Sequence, residues 1–196
     1  MLYIVKYNGP FGFIKPWTAV RDGETFSQQF LTPSIVEGIE KKLFPELLGS
    51  TGIIQKIRRH RLNYAGLSPQ QERTWSKGGF KAVKEKGVWK TNISILTRSV
   101  LLEPQLLLAF ANEADAERAA EQSICLCRNE DLLFPEPEIL SYSEEEFDSE
   151  NFPGFELIFR EKGEGFKVGH NRFAGGESMF GELRIFGNPI RESQNW

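Results

Sequence analysis

The sequence predicts an α+β fold, and three observations carry that reading. Apolar runs of strand length recur along the chain; two helix starts are marked, at Thr32-Pro33-Ser34 and at Asn112; and a strand, helix, strand order is met on either side of a basic insertion. At 196 residues, 40% of them hydrophobic, the chain is long enough to bury one core and is read as a single domain, 1–196. Its first residues, MLYIVKYNG, form an alternating strand rather than a basic segment followed by an apolar stretch and a cleavage site, which fits a cytoplasmic protein. No apolar run approaches the roughly 20 residues of a membrane span, so no membrane partner is expected.

The first strand ends at Gly9-Pro10, and the loop after it carries Phe11, Phe13, Lys15, Trp17 and Arg21. That loop is too long for a simple connection, and long loops in compact domains are often functional. Thr32, Pro33 and Ser34 then supply a hydroxyl N-cap and a proline at the first helical position, with Ile35, Val36, Ile39 and Leu43 at helical spacing. Gly38 inside this helix costs roughly 1 kcal/mol relative to alanine, which suggests close approach by a neighbouring backbone. From Gly52 the run IIQKIRRHRLNY predicts a strand with Ile57, Arg59 and Arg61 on one side and Arg58, His60 and Leu62 on the other. Residues Asn92 to Phe110 hold two strand-like runs with a bend at Glu103-Pro104, and Asn112 caps the Ala- and Glu-rich second helix. An acidic connector, 135–153, is expected to be solvated and partly mobile. A hairpin follows over FELIFREKGEGFKVGH, turning at Lys162 to Gly165, and then a glycine-punctuated loop runs into a strand from Glu182 to Phe186. This order fits a ferredoxin-like (RRM-like) βαββαβ core with an inserted basic β-hairpin thumb, 64–90, and an extra C-terminal hairpin.

Charge points to the ligand. Ten of the 24 lysines and arginines lie between Lys56 and Lys90 against two acids, while the whole chain is −3, so positive charge is segregated into one segment. Tyr64, Trp75, Phe80 and Trp89 stand among those cations. Cations suit phosphates and flat apolar rings suit unstacked bases, so the segment reads as a surface for single-stranded nucleic acid. Cys125 and Cys127, the only cysteines, match neither a zinc site nor a CxxC motif, and the carboxylates Glu144, Glu145, Glu146, Asp148 and Glu150 have no ligand-spaced frame. No metal and no cofactor are expected.

The segments from the first strand through FLTPSIVEGIEKKLF to IRRHRL resemble the Cas five family, whose members share a Pro-Ser helix start, a glycine in that helix and a paired-arginine strand; the matching positions are Thr32, Pro33, Ser34, Gly38, Arg58 and Arg59. The C-terminal GGESMFGELRIFG resembles the glycine-rich loop of the wider repeat-associated mysterious protein superfamily, with Gly175, Gly176 and Gly181 on the glycines and Phe180, Leu183 and Ile185 on the hydrophobic positions. The resemblance covers the first third of the chain well and the rest by order of elements. It implies an antiviral-defence RNA-binding subunit of a Cascade-like class 1 CRISPR complex that binds and caps the 5′ handle of the CRISPR RNA. It further implies backbone and large subunits as partners and target DNA as an indirect one. On that basis Lys15, Trp17, Ser34, Arg58, Arg59 and Arg61 are expected at the handle, and Trp75, Lys77, Phe80, Lys81, Lys84, Lys86 and Trp89 on the thumb. Gly175, Gly176 and Gly181 are expected beside the RNA backbone.

Two alternatives stay open. One branch of the family cuts precursor RNA with a tyrosine near the end of the first helix, a lysine and a histidine; Phe44 stands at the tyrosine position here, and the remaining candidates for a metal-independent endoribonuclease are His170, Arg172 and Tyr64. His60, inside the arginine cluster, is expected as an RNA or partner contact. The other alternative is a protein scaffold whose basic arm docks an acidic partner without RNA.

Overall fold

The computed structural model describes residues 1–17, 23–50, 52–75, 79, 81–171 and 175–192. Within them the chain forms β1 (Leu2–Asn8), β2 (Phe11–Gly12), β3 (Glu24–Phe26), α1 (Pro33–Leu43), a 3-10 turn (Pro45–Gly49), β4 (Ile57–Asn63), β5 (Gly66–Trp75), β6 (Ala82–Glu85), β7 (Val88–Thr91), β8 (Ile93–Leu102) and β9 (Gln105–Phe110). There follow α2 (Glu113–Ala120), β10 (Ile124–Cys125), β11 (Leu132–Pro135), β12 (Leu140–Tyr142), α3 (Glu144–Phe147), β13 (Gly154–Arg160), β14 (Phe166–Asn171) and β15 (Glu177–Phe186). The fold is mixed α and β. The main sheet runs β10-β11-β1-β9-β4-β13-β15-β14, with β12 also pairing β1, and its neighbours are antiparallel.

Alternation along β1 and β9 sends side chains to two faces, and both faces are covered. Val5, Tyr7, Leu106, Leu108 and Phe110 meet Val36, Ile39 and Leu43 of α1 and Ala116 and Ala119 of α2. Leu2, Ile4, Leu107 and Ala109 lie under Phe147 and Phe152 on the opposite face. The helix caps act as the sequence suggests: Pro33 opens α1, and the Asn112 side chain accepts a hydrogen bond from the Asp115 N–H. The Tyr7 hydroxyl donates to the Ala119 carbonyl at 2.6 Å, tying α2 to the first strand. No neighbour among the described residues comes within 4 Å of where a Gly38 Cβ would stand, so the close approach expected at that residue is not found among them.

A second sheet builds the arm. β5 and β8 pair over ten residues, from Gly66↔Leu102 to Trp75↔Ile93, and β2 and β3 flank β8. At the far end β6 and β7 form a separate two-stranded hairpin whose residues are all exposed. The segment 64–90 therefore covers the outgoing strand and the tip, while the return strand β8 runs on to Leu102. There the chain bends at Glu103 to cross into the main sheet as β9, with Glu103 at φ 47°.

Three expectations are corrected. The hairpin over 155–170 does not form, because β15 lies between β13 and β14 and pairs with both. The acidic connector is not a solvated loop throughout: Ser143 and Glu146 close a capping box on α3, and Phe147 and Phe152 bury themselves against the sheet. Each such phenylalanine contributes roughly 1.5–3 kcal/mol of burial, which counting charges overlooks. Finally, β4 carries a bulge between Ile57 and Arg59. The extra residue, Arg58, shifts the alternation, so Ile57 shares the helix-side core with Leu62 rather than a face with Arg59 and Arg61.

Candidate nucleic-acid interface

The first loop, the start of α1, the stretch after β10 and strand β14 are far apart in sequence and converge on one groove of about 560 Å³. Lys15, Trp17, Ser34, Lys42, Cys127 and His170 are among its walls, and no Asp or Glu is among the described residues that line it. Trp17 is 48% exposed, with the Lys167 Nζ 5.7 Å from its ring centroid and the His170 ring edge-on at 6.1 Å. The cap of α1 leaves room for an anion. Thr32 makes no side-chain cap bond, Pro33 has no N–H, and the first turn holds no acidic residue, so the positive end of the helix dipole is not neutralised within its own helix.

Gly169 positions the tryptophan. Its φ is +143°, and a Cβ there would stand 3.2 Å from Met179 Cε and 3.5 Å from Trp17 Cγ. Glycine thus lets Trp17 lie against β14 where a side chain would be strained. Gly169→Ala is expected to destabilise the fold by about 1–2 kcal/mol and to displace the ring, and urea denaturation of the variant beside the parent checks the first part.

The other candidates separate into two groups. Arg58, pushed out at the bulge, is exposed, as are Trp75, Lys81, Lys84, Lys86 and Trp89 along the arm and its tip. Lys77, Phe80 and Arg172 lie outside the described residues. Other cations of the basic window are already paired: Lys56 with Asp115, Lys90 with Glu85, and Arg59 and Arg61 with Glu156 and Asp148. Arg61 is fully buried, its guanidinium 4.0 Å from the Phe147 ring centroid and 3.4 Å from that of Phe186, and it donates to the Phe147 and Phe152 carbonyls. The expectation that Arg59 and Arg61 face a ligand is therefore corrected. They clamp α3 and the C-terminal strands onto β4, and burial lowers the Arg61 pKa from its ordinary value.

Gly175 and Gly176 sit exposed at φ +61° and +83° in the turn before β15, and His170 Nδ1 lies 3.0 Å from the Gly176 carbonyl oxygen. Gly181 does not belong to that loop. It is buried inside β15, where a Cβ would meet Leu157 at 2.7 Å, so its small size serves packing against β13 rather than access to a ligand. His60 is buried and stacked on Phe159, 5.3 Å between centroids, and cannot act as a surface contact. Tyr64 is 2% exposed, donates to Gln29 Oε1 at 2.5 Å, and is absent from the groove that holds His170. Phe44 is fully buried, edge-on to Phe110. Sequence reasoning missed Gln28, Lys42, Lys167 and Gly169; only Lys42, one residue from the other lysine of the helix end, had any local signal.

No family model matches the sequence, and no curated protein matches it. Solved structures share its shape. A chain of a CRISPR RNA-guided surveillance complex superposes with a TM-score of 0.54 at 10% identity, covering 97% of this chain and 91% of its own length. A second, from the crystal structure of a Cas protein, has a TM-score of 0.47 at 14% identity over 98% of this chain and 99% of that one. At such identities the likeness is one of fold. No helix among the described residues is long and apolar enough to cross a membrane.

Proposed function

We propose that this protein is a Cas five-like subunit of a cytoplasmic CRISPR interference complex that binds CRISPR RNA and caps its 5′ handle without cutting it. The observation that carries this reading is the groove, where Lys15, Trp17 and Ser34 meet Lys42 and His170 with no carboxylate among the described lining residues. Cations, an exposed indole and an unneutralised helix start are what a single-stranded phosphate backbone with an unstacked base requires. The fold shared with a chain of an RNA-guided surveillance complex supports it. So does the arm, whose exposed lysines and Trp89 could follow the guide beyond the handle.

The core is read as ferredoxin-like, with β1, α1, β4, β9, α2 and β11 as its six elements; the strand order β11-β1-β9-β4 supports that reading. Backbone and large subunits would enclose the RNA, and target DNA would be met through the guide.

Binding of repeat-derived RNA, followed by fluorescence anisotropy across a salt series, tests the proposal. Affinity is expected to fall linearly in log–log form, and replacing Lys81, Lys84 and Lys86 together with glutamine is expected to reduce the slope by about 2, at roughly 0.7 per lost contact to a single strand. Affinity indifferent to salt overturns the phosphate reading. Cleavage of that RNA in EDTA by the wild type but not by His170→Ala would overturn the non-catalytic part. The burial of Tyr64 and its bond to Gln29 favour binding over cleavage.

A further inference from the structure

We infer that Gln28 reads one base of the bound RNA, its side-chain oxygen accepting a hydrogen bond from an N–H on the base edge while Trp17 stacks on a ring. The inference rests on the RNA-binding reading above and assigns a base-edge contact within that groove.

Gln28 is 9% exposed and lies on the groove wall. Its surroundings hold it on every other side. The backbone N–H donates to Ile14 O at 2.8 Å, the backbone carbonyl accepts from Ser27 Oγ at 3.1 Å, and Ser27 Oγ itself accepts from the Ile14 N–H at 2.9 Å. The side-chain Nε2 donates to Phe30 O at 2.8 Å. That last bond sets the amide, since the opposite flip would bring two oxygens together. Oε1 has no hydrogen-bond partner among the described residues. Oε1 is not among the sealed, unpartnered polar atoms of the described residues, so Gln28 gives the groove wall an oriented acceptor open to solvent, where a donor on a ligand can take the place of water.

The groove supplies the remainder of a nucleotide's needs. Trp17 offers a flat surface, and Ser34 and Lys42 offer a helix start and an ammonium for the phosphate. Phosphate contacts position a strand and carry no sequence information, so discrimination must come from a group that reaches a base edge. Adenine and cytosine present an amino group there, and guanine and uracil a ring N–H, whereas unsubstituted purine presents no donor.

The test is a walk along the RNA in which each base in turn is replaced by unsubstituted purine, with affinity measured for wild type and for Gln28→Met, which keeps length and loses the acceptor. One position is expected at which purine weakens wild-type binding about tenfold, and at that position Gln28→Met should bind natural and substituted RNA equally. A walk on the wild-type protein with no such position overturns the inference without any variant. A tenfold loss that persists in Gln28→Met, with the variant shown to be folded by its melting transition, overturns it too. RNA that fails to bind the wild type removes the functional reading along with it, whereas RNA that binds without this coupling removes the base-reading role alone.

Discussion

Arg61→Leu is expected to lower unfolding free energy by about 3–5 kcal/mol, the usual cost of removing one partner from a buried ion pair. The guanidinium is fully buried and makes six interactions at once: with Glu156 at 3.1 Å, with Asp148 at 2.7 Å, with two backbone carbonyls, and with two phenylalanine rings. Leucine would leave Glu156, 1% exposed, with Arg59 as its remaining arginine and would strip donors from the Phe147 and Phe152 carbonyls. Against a total stability of about 5–15 kcal/mol for a domain, that is a large fraction. Urea denaturation reads the effect. A single-variant loss below about 1 kcal/mol would contradict the burial argument. RNA affinity supplies a second contrast: Arg58→Gln, at the exposed bulge, is expected to weaken binding and leave stability unchanged.

The arginine strand also marks the limit of what the residues revealed in order. Charge density between Lys56 and Lys90 pointed to a polyanion, and the exposed lysines of β6, β7 and their turn agree with a surface role. Yet charge density carries no record of pairing. Glu156 lies 97 residues from Arg59 and Asp115 lies 59 from Lys56, so only the folded chain separates structural cations from free ones. The helix starts were legible because capping is local chemistry: Pro33 and Asn112 act within one turn. Hairpin pairing over 155–170 misled because turn residues at 162–165 look the same whether the two strands pair with each other or with a third. The bulge at Arg58 has no sequence mark, and it alone reversed which faces Ile57 and Arg59 share. Lys15, Trp17 and Ser34 were picked out individually, but the groove that joins them exists only where β14 and the stretch after β10 arrive. Gln28 had no signal at all, since its meaning rests on one bond to Phe30.

Acid is expected to destabilise the protein through His60, well before most carboxylates protonate. The ring is 4% exposed, stacked on Phe159 with 27° between planes, and its Nε2 has no hydrogen-bond partner among the described residues. Burial pushes its pKa down to about 4; the charge of Glu156 opposes this, and those of Arg59 and Arg61 add to it. Above the ordinary value of about 6.5, folded and unfolded chains both hold a neutral ring, and the group adds no pH dependence. Between there and pH 4 the unfolded chain binds a proton that the folded one does not, so stability falls as pH falls, by about 3 kcal/mol in all. Glu156 acts lower on the scale. Burial raises its pKa, but the Arg59 hydrogen bond and the charges of Arg59, His60 and Arg61 outweigh that and hold it below the ordinary value, so its contribution is present above about pH 4.5 and lost beneath. The two groups are thereby separable. His60→Phe keeps a ring against Phe159 and cannot titrate, so its stability measured from pH 6.5 to 4.5 is expected to be nearly flat where the parent's declines. Parallel curves for the two proteins would mean that His60 is reached by solvent and protonates in place. Because β4 carries this histidine between the two clamped arginines and leads straight into the arm, the acid-sensitive point and the base of the arm proposed to follow the RNA are one strand.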